Sequence, residues 1–282
     1  RKILHSKKHI FDAVVDTHII IFEKNKLEKD NIFQIDLVEK EMPKVYQTLN
    51  QNDFSKTGDI INVLARPEET NLFIKIKNNS DLIKDVSIST VGVKPFQVGK
   101  GIPKQTREIV TDKPFVVENQ TKPFGENWYP LLRGSLMNKY VSFWNNNSWI
   151  HYGEWLAEPR KKEIFDADEK IIIRQTADRI IATIIEKNII ARDNLNIVIP
   201  QNINTKFVLG VVNSKLTDFY YQQLNPEKGE VLAQVKKTHV EQLPIPKITS
   251  ENQQLHDDLV KLVEQMLKAK KEEQNAQSDH EK

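Results

Sequence analysis

The chain has 282 residues, 39% hydrophobic and 28% charged, enough to bury one core and a second, smaller unit, which excludes a disordered tail. It carries 41 Lys and Arg against 39 Asp and Glu, a formal net charge of +2, which excludes indiscriminate coating of nucleic acid. It has no cysteine, which excludes a disulfide framework, a thiolate nucleophile and a Cys-based zinc site.

No apolar run approaches the roughly 18 residues needed to span a bilayer, and the first ten residues are too polar for a secretory signal, so a cytoplasmic location with no membrane partner is expected. The stretch Val14-Val15-Asp16-Thr17-His18-Ile19-Ile20-Ile21-Phe22 is almost continuously apolar, as a strand buried on both faces would be. His18 within it reads as a satisfied core residue. Ile32 to Val38 alternates and reads as a second strand. Joined by the charged turn Glu23 to Asp30, the two are expected to form a hairpin at a sheet edge. A helix is expected from Glu39 to Leu49, a strand from Leu72 to Ile76 and a short helix around Asp81 to Lys84. The chain opens on Arg1, and the first methionine, Met42, falls inside the expected helix. The chain is therefore expected to begin within a longer polypeptide.

After Thr90 the texture changes, with ten glycines and prolines between Gly92 and Gly134, the mark of a loop-rich, irregular β region. From Lys94 to Tyr140 eight basic residues face four acidic ones, a local charge of +4 (8 minus 4). Ile171 to Ile173, Arg179 to Ile185 and Leu195 to Ile199 read as strands, the last ended by Pro200. Asn204 can cap a helix through Phe207, Val208, Val211 and Val212, and Leu216, Phe219 and Tyr220 continue the helical spacing. At the end, Leu255, Leu259, Leu262, Met266 and Ala269 form a narrow apolar seam on a helix that carries a net −3 from Glu251 onward (5 minus 8), followed by a frayed tail from Lys271. The expected divisions are 1–50, 51–90, 91–250 and 251–282.

No glycine-rich phosphate loop, HExxH zinc motif or Ser-His-Asp set is present, so the usual catalytic signatures fail. Asp166-Ala167-Asp168-Glu169-Lys170 before a strand resembles a metal-dependent nuclease edge, but the spacing is common by chance and a solvated turn explains it better. Val98-Gly99-Lys100-Gly101-Ile102-Pro103-Lys104-Gln105-Thr106-Arg107 is better placed to bind. Its glycines let the backbone approach a surface while Lys100, Lys104, Gln105 and Arg107 offer donors. An exposed basic loop is the plainer alternative. Trp128-Tyr129-Pro130-Leu131-Leu132-Arg133-Gly134-Ser135 and Ile173-Arg174-Gln175-Thr176-Ala177-Asp178-Arg179 also join arginine or glutamine to strand ends. Arginine can read guanine bidentately and glutamine adenine; Arg133 and Arg174 can equally pair with internal carboxylates.

Taken in order, the segments at 98–106, Tyr129 to Ser135, Tyr152-Gly153-Glu154-Trp155-Leu156-Ala157-Glu158-Pro159-Arg160, Ile172 to Thr176, Leu209 to Leu216 and Glu241-Gln242-Leu243-Pro244-Ile245-Pro246 resemble one family. It is the TaqI-like C-terminal specificity domain of adenine-N6 DNA methyltransferases and of Eco57I-like type IIG restriction-modification enzymes. The resemblance covers about residues 90 to 250. It implies an α+β chain: a residual strand hairpin from a methyltransferase sheet, an irregular β-rich target-recognition domain and a helical C-terminal part. The family's Asn-Pro-Pro-Tyr or Asn-Pro-Pro-Phe motif is absent, the one Asn-Pro being Asn225-Pro226 before Glu227. No catalytic residue, metal or cofactor is therefore expected in this chain, and S-adenosylmethionine is expected in a separate catalytic domain of the same polypeptide. The implied work is sequence-specific binding of double-stranded DNA through Lys100, Lys104, Gln105, Arg107, Arg133, Lys139, Arg174, Gln175, Thr176 and Arg179, with the parent enzyme also able to carry endonuclease activity. The alternatives are a magnesium-dependent nuclease using Asp166, Asp168, Glu169 and Lys170, and an interaction scaffold or self-association through the C-terminal helix.

Overall fold

The computed structural model describes residues 2–6, 17–24, 31–38, 42–52, 62–121, 123, 125–144, 146–225 and 233–280. The chain divides into two compact units, Arg1–Asn78 and Asn79–Lys282. In the first, β1 (Lys2–Ser6), β2 (Thr17–Ile21), β3 (Ile32–Val38) and β4 (Pro43–Asn50) form one sheet in the order β2-β1-β3-β4. Ile3, Phe33, Ile35 and Val63 make its small core. A helix, α1 (Pro67–Asn78), follows.

Five expectations for this unit are corrected. β2 and β3 are not a hairpin, because β1 lies between them, antiparallel to β2 and parallel to β3. β2 is not buried: Ile19, Ile20 and Ile21 are each more than half exposed, Ile20 at 58%. His18 is exposed too; its Nε2 lies 3.0 Å from Nδ1 of His5, which is the buried partner. Where a helix was expected at 39–49, β4 pairs along β3 from Pro43 to Asn50. Pro43 would sit in the interior of that helix, where it removes a hydrogen bond and clashes with the preceding turn. Met42 accordingly precedes a strand. Conversely, Leu72 to Ile76 lies inside α1, with Pro67 at the first helical position, Glu68 and Glu69 in the first turn and Lys75 and Lys77 in the last. Those termini fix a helix through the macrodipole more firmly than a short apolar run favours a strand. Val14 to Asp16, most of the turn before Ile32, Glu39 to Glu41, Lys122, Pro226 and Glu227 lie outside the described residues.

The second unit opens with β5 (Ser80–Leu82), α2 (Ile83–Val86), β6 (Ser87–Val91), α3 (Arg107–Asp112), β7 (Val116–Glu118) and β8 (Trp128–Leu132). β9 (Met137–Asn138), β10 (Val141–Ser142), β11 (Ser148–His151), α4 (Glu163–Asp166), β12 (Glu169–Arg174) and β13 (Ala182–Glu186) follow. It closes with β14 (Ile190–Ala191), β15 (Leu195–Pro200), α5 (Thr205–Val212), α6 (Lys215–Leu224), α7 (Lys237–Val240), β16 (Pro244–Pro246) and α8 (Gln253–His280).

The central sheet, β13-β12-β15-β6, is covered on both sides, and the two-residue period of a strand sorts its side chains. Ile171, Ile173 and Val198 pack with α5 residues Phe207, Val208 and Val212. Ile172, Ile185 and Ile197 point the other way, onto Leu131, Ile150 and Ile190 of the second sheet, β14-β8-β11-β7. The fold is thus α+β, with helices on one face of a sheet and a second sheet on the other. The helical pair forms as expected, with the Asn204 side chain accepting from Lys206 N and Phe207 N, and Ser214 from Thr217 N.

The seam on α8 is out of phase with expectation. Val263 is 3% exposed and packs on α5, whereas Leu255 is 71% exposed and Leu262 and Met266 also face solvent; of the expected set, Leu259 alone joins the core. A Cβ on Gly210 of α5 would lie 2.8 Å from Val263 Cγ2 and 3.0 Å from Leu259 Cδ1, so the glycine sets which face of α8 approaches. The helix runs on to His280 instead of fraying at Lys271, through Lys, Glu, Gln and Ala, which are strong helix formers.

Candidate functional site

The glycine-rich loop between β6 and α3 is closed at its base by one side chain. Gln105, 3% exposed, donates from Nε2 to the carbonyls of Pro95 and Trp155, both at 2.8 Å, and accepts from Gln97 N at 2.9 Å. The backbone adds Gly99 N to Gln105 O, Gln105 N to Lys100 O and Ile102 N to Glu154 O. At Gly101 the φ is +81°, and a Cβ would lie 2.4 Å from Trp155 O. Only glycine fits there. On the outer side Val98, Lys100, Ile102 and Lys104 are exposed, and Arg107, first residue of α3, is exposed as well. The ammonium groups of Lys100 and Lys104 and the guanidinium of Arg107 have no ionic or hydrogen-bonding partner among the described residues. Gln105 is different: its amide is committed to holding the loop.

An aromatic column lies behind the loop. Phe96 stacks on Phe115 at 5.7 Å between centroids, Phe115 meets Trp155 at 6.2 Å, Trp155 meets His151 at 4.4 Å, and His151 stacks on Trp128 at 5.0 Å. Burial lowers the pKa of His151, which favours the neutral ring. Beside the column an open cleft of ≈ 480 Å³ is lined by residues that include Ile102, Tyr129, Tyr152, Trp155 and Lys162. Lys162 Nζ stands 4.7 Å from the Tyr129 ring centroid and pairs with Asp166.

A second group is built where strand ends converge. Arg133 follows β8, Arg174 ends β12 and Arg192 follows β14. Glu118 on β7 holds Arg133 at 2.8 Å and Arg192 at 3.8 Å. Asn194 ties the loops together: its Oδ1 accepts from Gly134 N at 3.2 Å and its carbonyl from Gln175 N at 3.1 Å. Arg174 is half-buried, packs its Cγ 3.5 Å from the Cβ position of Gly134, and has no partner for its guanidinium among the described residues. Gln175 is half-buried and Thr176 exposed, and the Thr176 backbone bridges to Gln234. The sequence alone does not single out Arg192, because the strand it follows, β14, is two residues long and leaves too short an apolar run to mark a strand end.

Lys139 and Arg179 fall in a third group. Lys139 Nζ donates to Asn213 O at 2.9 Å and to Asp218 at 3.1 Å, and Asp218 also accepts from Ile180 N at 3.0 Å. Arg179 donates to Asp178 at 3.0 Å, and this bond, with the charges of Asp178 and Asp218, raises its already high pKa. This network joins β9, α6 and the turn before β13. The ten candidates are therefore divided among three places.

The acidic segment does not assemble a metal edge. Asp166 pairs with Lys162, Asp168 lies 3.7 Å from Lys187, and Glu169 lies 3.4 Å from Lys206. Lys170 points inward, fully buried, and donates to the carbonyls of Phe165, Ala167 and Glu186 at 3.1, 3.3 and 2.7 Å. Burial pulls its pKa down to about 8. Among the described residues no group of three or more His, Cys, Asp or Glu could hold a metal ion, and no helix is long and apolar enough to cross a membrane.

Residues 129–245 match the family model described as the TaqI-like C-terminal specificity domain. The match begins after the glycine-rich loop and includes the Arg133, Arg174 and Arg192 loops and the α5–α6 pair. No curated protein matches the chain. Among solved structures, similarity is found to the HsdS subunit from Thermoanaerobacter tengcongensis, at 11% identity over 72% of this chain and 45% of that one, TM-score 0.38. The type IIG restriction endonuclease BpuSI aligns at 10% identity over 94% and 38%, TM-score 0.45. The type IIL restriction-modification enzyme MmeI, solved in complex with DNA, aligns at 11% over 87% and 34%, TM-score 0.44. The chain spans less than half the length of each of these three.

Proposed function

We propose, from the premise that residues 129–245 are a TaqI-like C-terminal specificity domain, that this chain selects a sequence in double-stranded DNA for a restriction-modification enzyme of the adenine-N6 methyltransferase type. The observation that carries this reading is the set of cations left without partners on fixed backbone, Lys100, Lys104, Arg107 and Arg174. Cations held unpaired at loop ends suit an anionic partner. Lysines contact phosphate and set register, whereas an arginine fork at a strand end can read guanine O6 and N7, for about 1–3 kcal/mol of discrimination. Arg133 and Arg192, bridged by Glu118, orient the neighbouring loops. Gln175 and Thr176 lie beside Arg174, within reach of the same base pairs. Gln105 holds the loop from within, Lys139 ties the end of β9 to α6 through Asp218, and Arg179 stays on the surface, paired with Asp178.

Methyl transfer is assigned to a separate domain of the same polypeptide, where S-adenosylmethionine would bind. The residues here do not fit that cofactor. The one glycine-rich loop turns the N–H groups of Gly99, Ile102 and Gln105 onto its own carbonyls and that of Glu154, so it offers no open cradle. Contact with that domain and self-association through α8 are the partners this reading adds. The nuclease alternative loses its lysine to the interior.

The test is the affinity of the chain for duplex DNA, measured by fluorescence anisotropy against salt. A linear fall of log K with log salt is expected, Lys100→Ala and Lys104→Ala each shallowing the slope by about 0.9. Arg174→Ala should weaken discrimination between duplexes more than it weakens binding to random DNA. A flat salt response overturns the proposal.

A further inference from the structure

The outer side of the glycine-rich loop alternates apolar and cationic side chains: Val98, Lys100, Ile102, Lys104. Ile102 is 69% exposed and Val98 52% exposed, and neither ammonium group has a partner among the described residues. The tip is not loose. Gln105 closes the base of the loop with three hydrogen bonds, Ile102 N is bonded to Glu154 O, and Gly101 is pressed against Trp155 O. Two branched apolar side chains are thus held in water on rigid backbone, an arrangement that water alone disfavours and that contact with a partner would relieve. The interleaved, unneutralised lysines fit a partner that presents anions on both sides of an apolar target. In the major groove of duplex DNA the thymine 5-methyl group is such a target, flanked by two lines of phosphate.

We propose that loop 98–104 enters the major groove and reads thymine through its methyl group, with Ile102 making the contact, Val98 lying against the neighbouring base, and Lys100 and Lys104 on the bordering phosphates. This rests on the DNA-selecting function proposed above and adds a specificity-determining residue upstream of the matched domain. A pair of apolar side chains alternating with cations suits a contact along a groove; a lone wedge driven between stacked bases would need one protruding side chain.

The test uses the full chain and a duplex that it selects from a randomised pool. Each thymine is replaced singly by uracil, which removes the methyl and nothing else. Uracil at one or two positions is expected to weaken binding about fourfold, the worth of one buried methyl. Ile102→Ala should bind the thymine and uracil duplexes equally. Lys100→Ala and Lys104→Ala should keep the thymine-to-uracil ratio while lowering the salt slope. The proposal is overturned if the selected site holds no thymine, if uracil is tolerated everywhere, or if the uracil penalty survives in Ile102→Ala. An equal loss for thymine and uracil duplexes in Ile102→Ala, with reduced DNA bending, assigns Ile102 to a wedge instead and also overturns it. In all of these the salt dependence remains. Absence of any salt-dependent binding removes the function proposed above as well, so the two failures are distinguishable.

Discussion

Lys170 is a charge held under a strand, with three carbonyl oxygens as its company. Its pKa in the fold is about 8 against an ordinary 10.5, so burial disfavours the ammonium form. Below pH 8 both folded and unfolded chains hold the proton and the penalty is fully present. Between about pH 8 and 10.5 the folded chain releases its proton first, and stability from this group rises with pH. Urea unfolding at pH 7.5 and pH 10 should show this rise in the wild type and lose about 2–3 kcal/mol of it in Lys170→Met. An equal pH response in the two proteins contradicts the account. At this scale the sequence marks which side chains have polar or charged groups to offer and is silent about their direction. Lys170 and Gln105 lie in polar, loop-like segments, and composition cannot show that one points inward or that the other holds a turn shut. Lys100, Lys104 and Arg107 stand out in the sequence because the stretch from Lys94 to Arg107 holds no acidic residue.

Among elements, α8 shows how a correct helix can be assigned to the wrong face. Leucines at 255, 259, 262 and methionine at 266 outweigh a lone valine by hydrophobicity, yet Val263 and Leu259 are the side chains that meet α5. The cause is on the other helix, where Gly210 leaves a hollow. Val263→Ala should cost about 1–3 kcal/mol in thermal or urea unfolding through the cavity it opens, while Leu262→Ala should change stability by less than about 0.5 kcal/mol. Similar costs for both would mean that the seam read from the sequence is the buried one. β12, β13 and β15 were legible because their isoleucine and valine runs are covered on both faces by this chain alone. β4 and α1 were not, because a proline at a strand start and charges at helix ends decide them more than apolar period does. β1 was passed over because Lys2, His5 and Ser6 interrupt its apolar residues, although His5 and Ser6 are buried in the sheet.

At the scale of the whole molecule, both large core clusters lie between Ile83 and Val263, within the unit Asn79–Lys282. A chain beginning at Asn79 should therefore unfold in one cooperative step by circular dichroism and keep the DNA affinity of the 282-residue protein within about threefold, since every proposed contact falls inside it. A non-cooperative melt, or loss of affinity, would show that the first 78 residues are needed for that core or its surface. The charge partition noted in the sequence has its counterpart here: the basic stretch supplies the free lysines of the loop, while the acidic end forms a solvated helix.

The closed base of the glycine-rich loop has a consequence for change as well as for contact. Gln105, Gly99 and Gly101 determine its shape, while the side chains at positions 98, 100, 102 and 104 project into solvent and reach the frame only through their backbone. Under the proposed reading, form and preference are thereby stored in separate residues. A new target can be acquired by exchanging the tip without renegotiating the core, so a combinatorial library at those four positions, with the base kept constant, should return folded proteins with altered sequence preference.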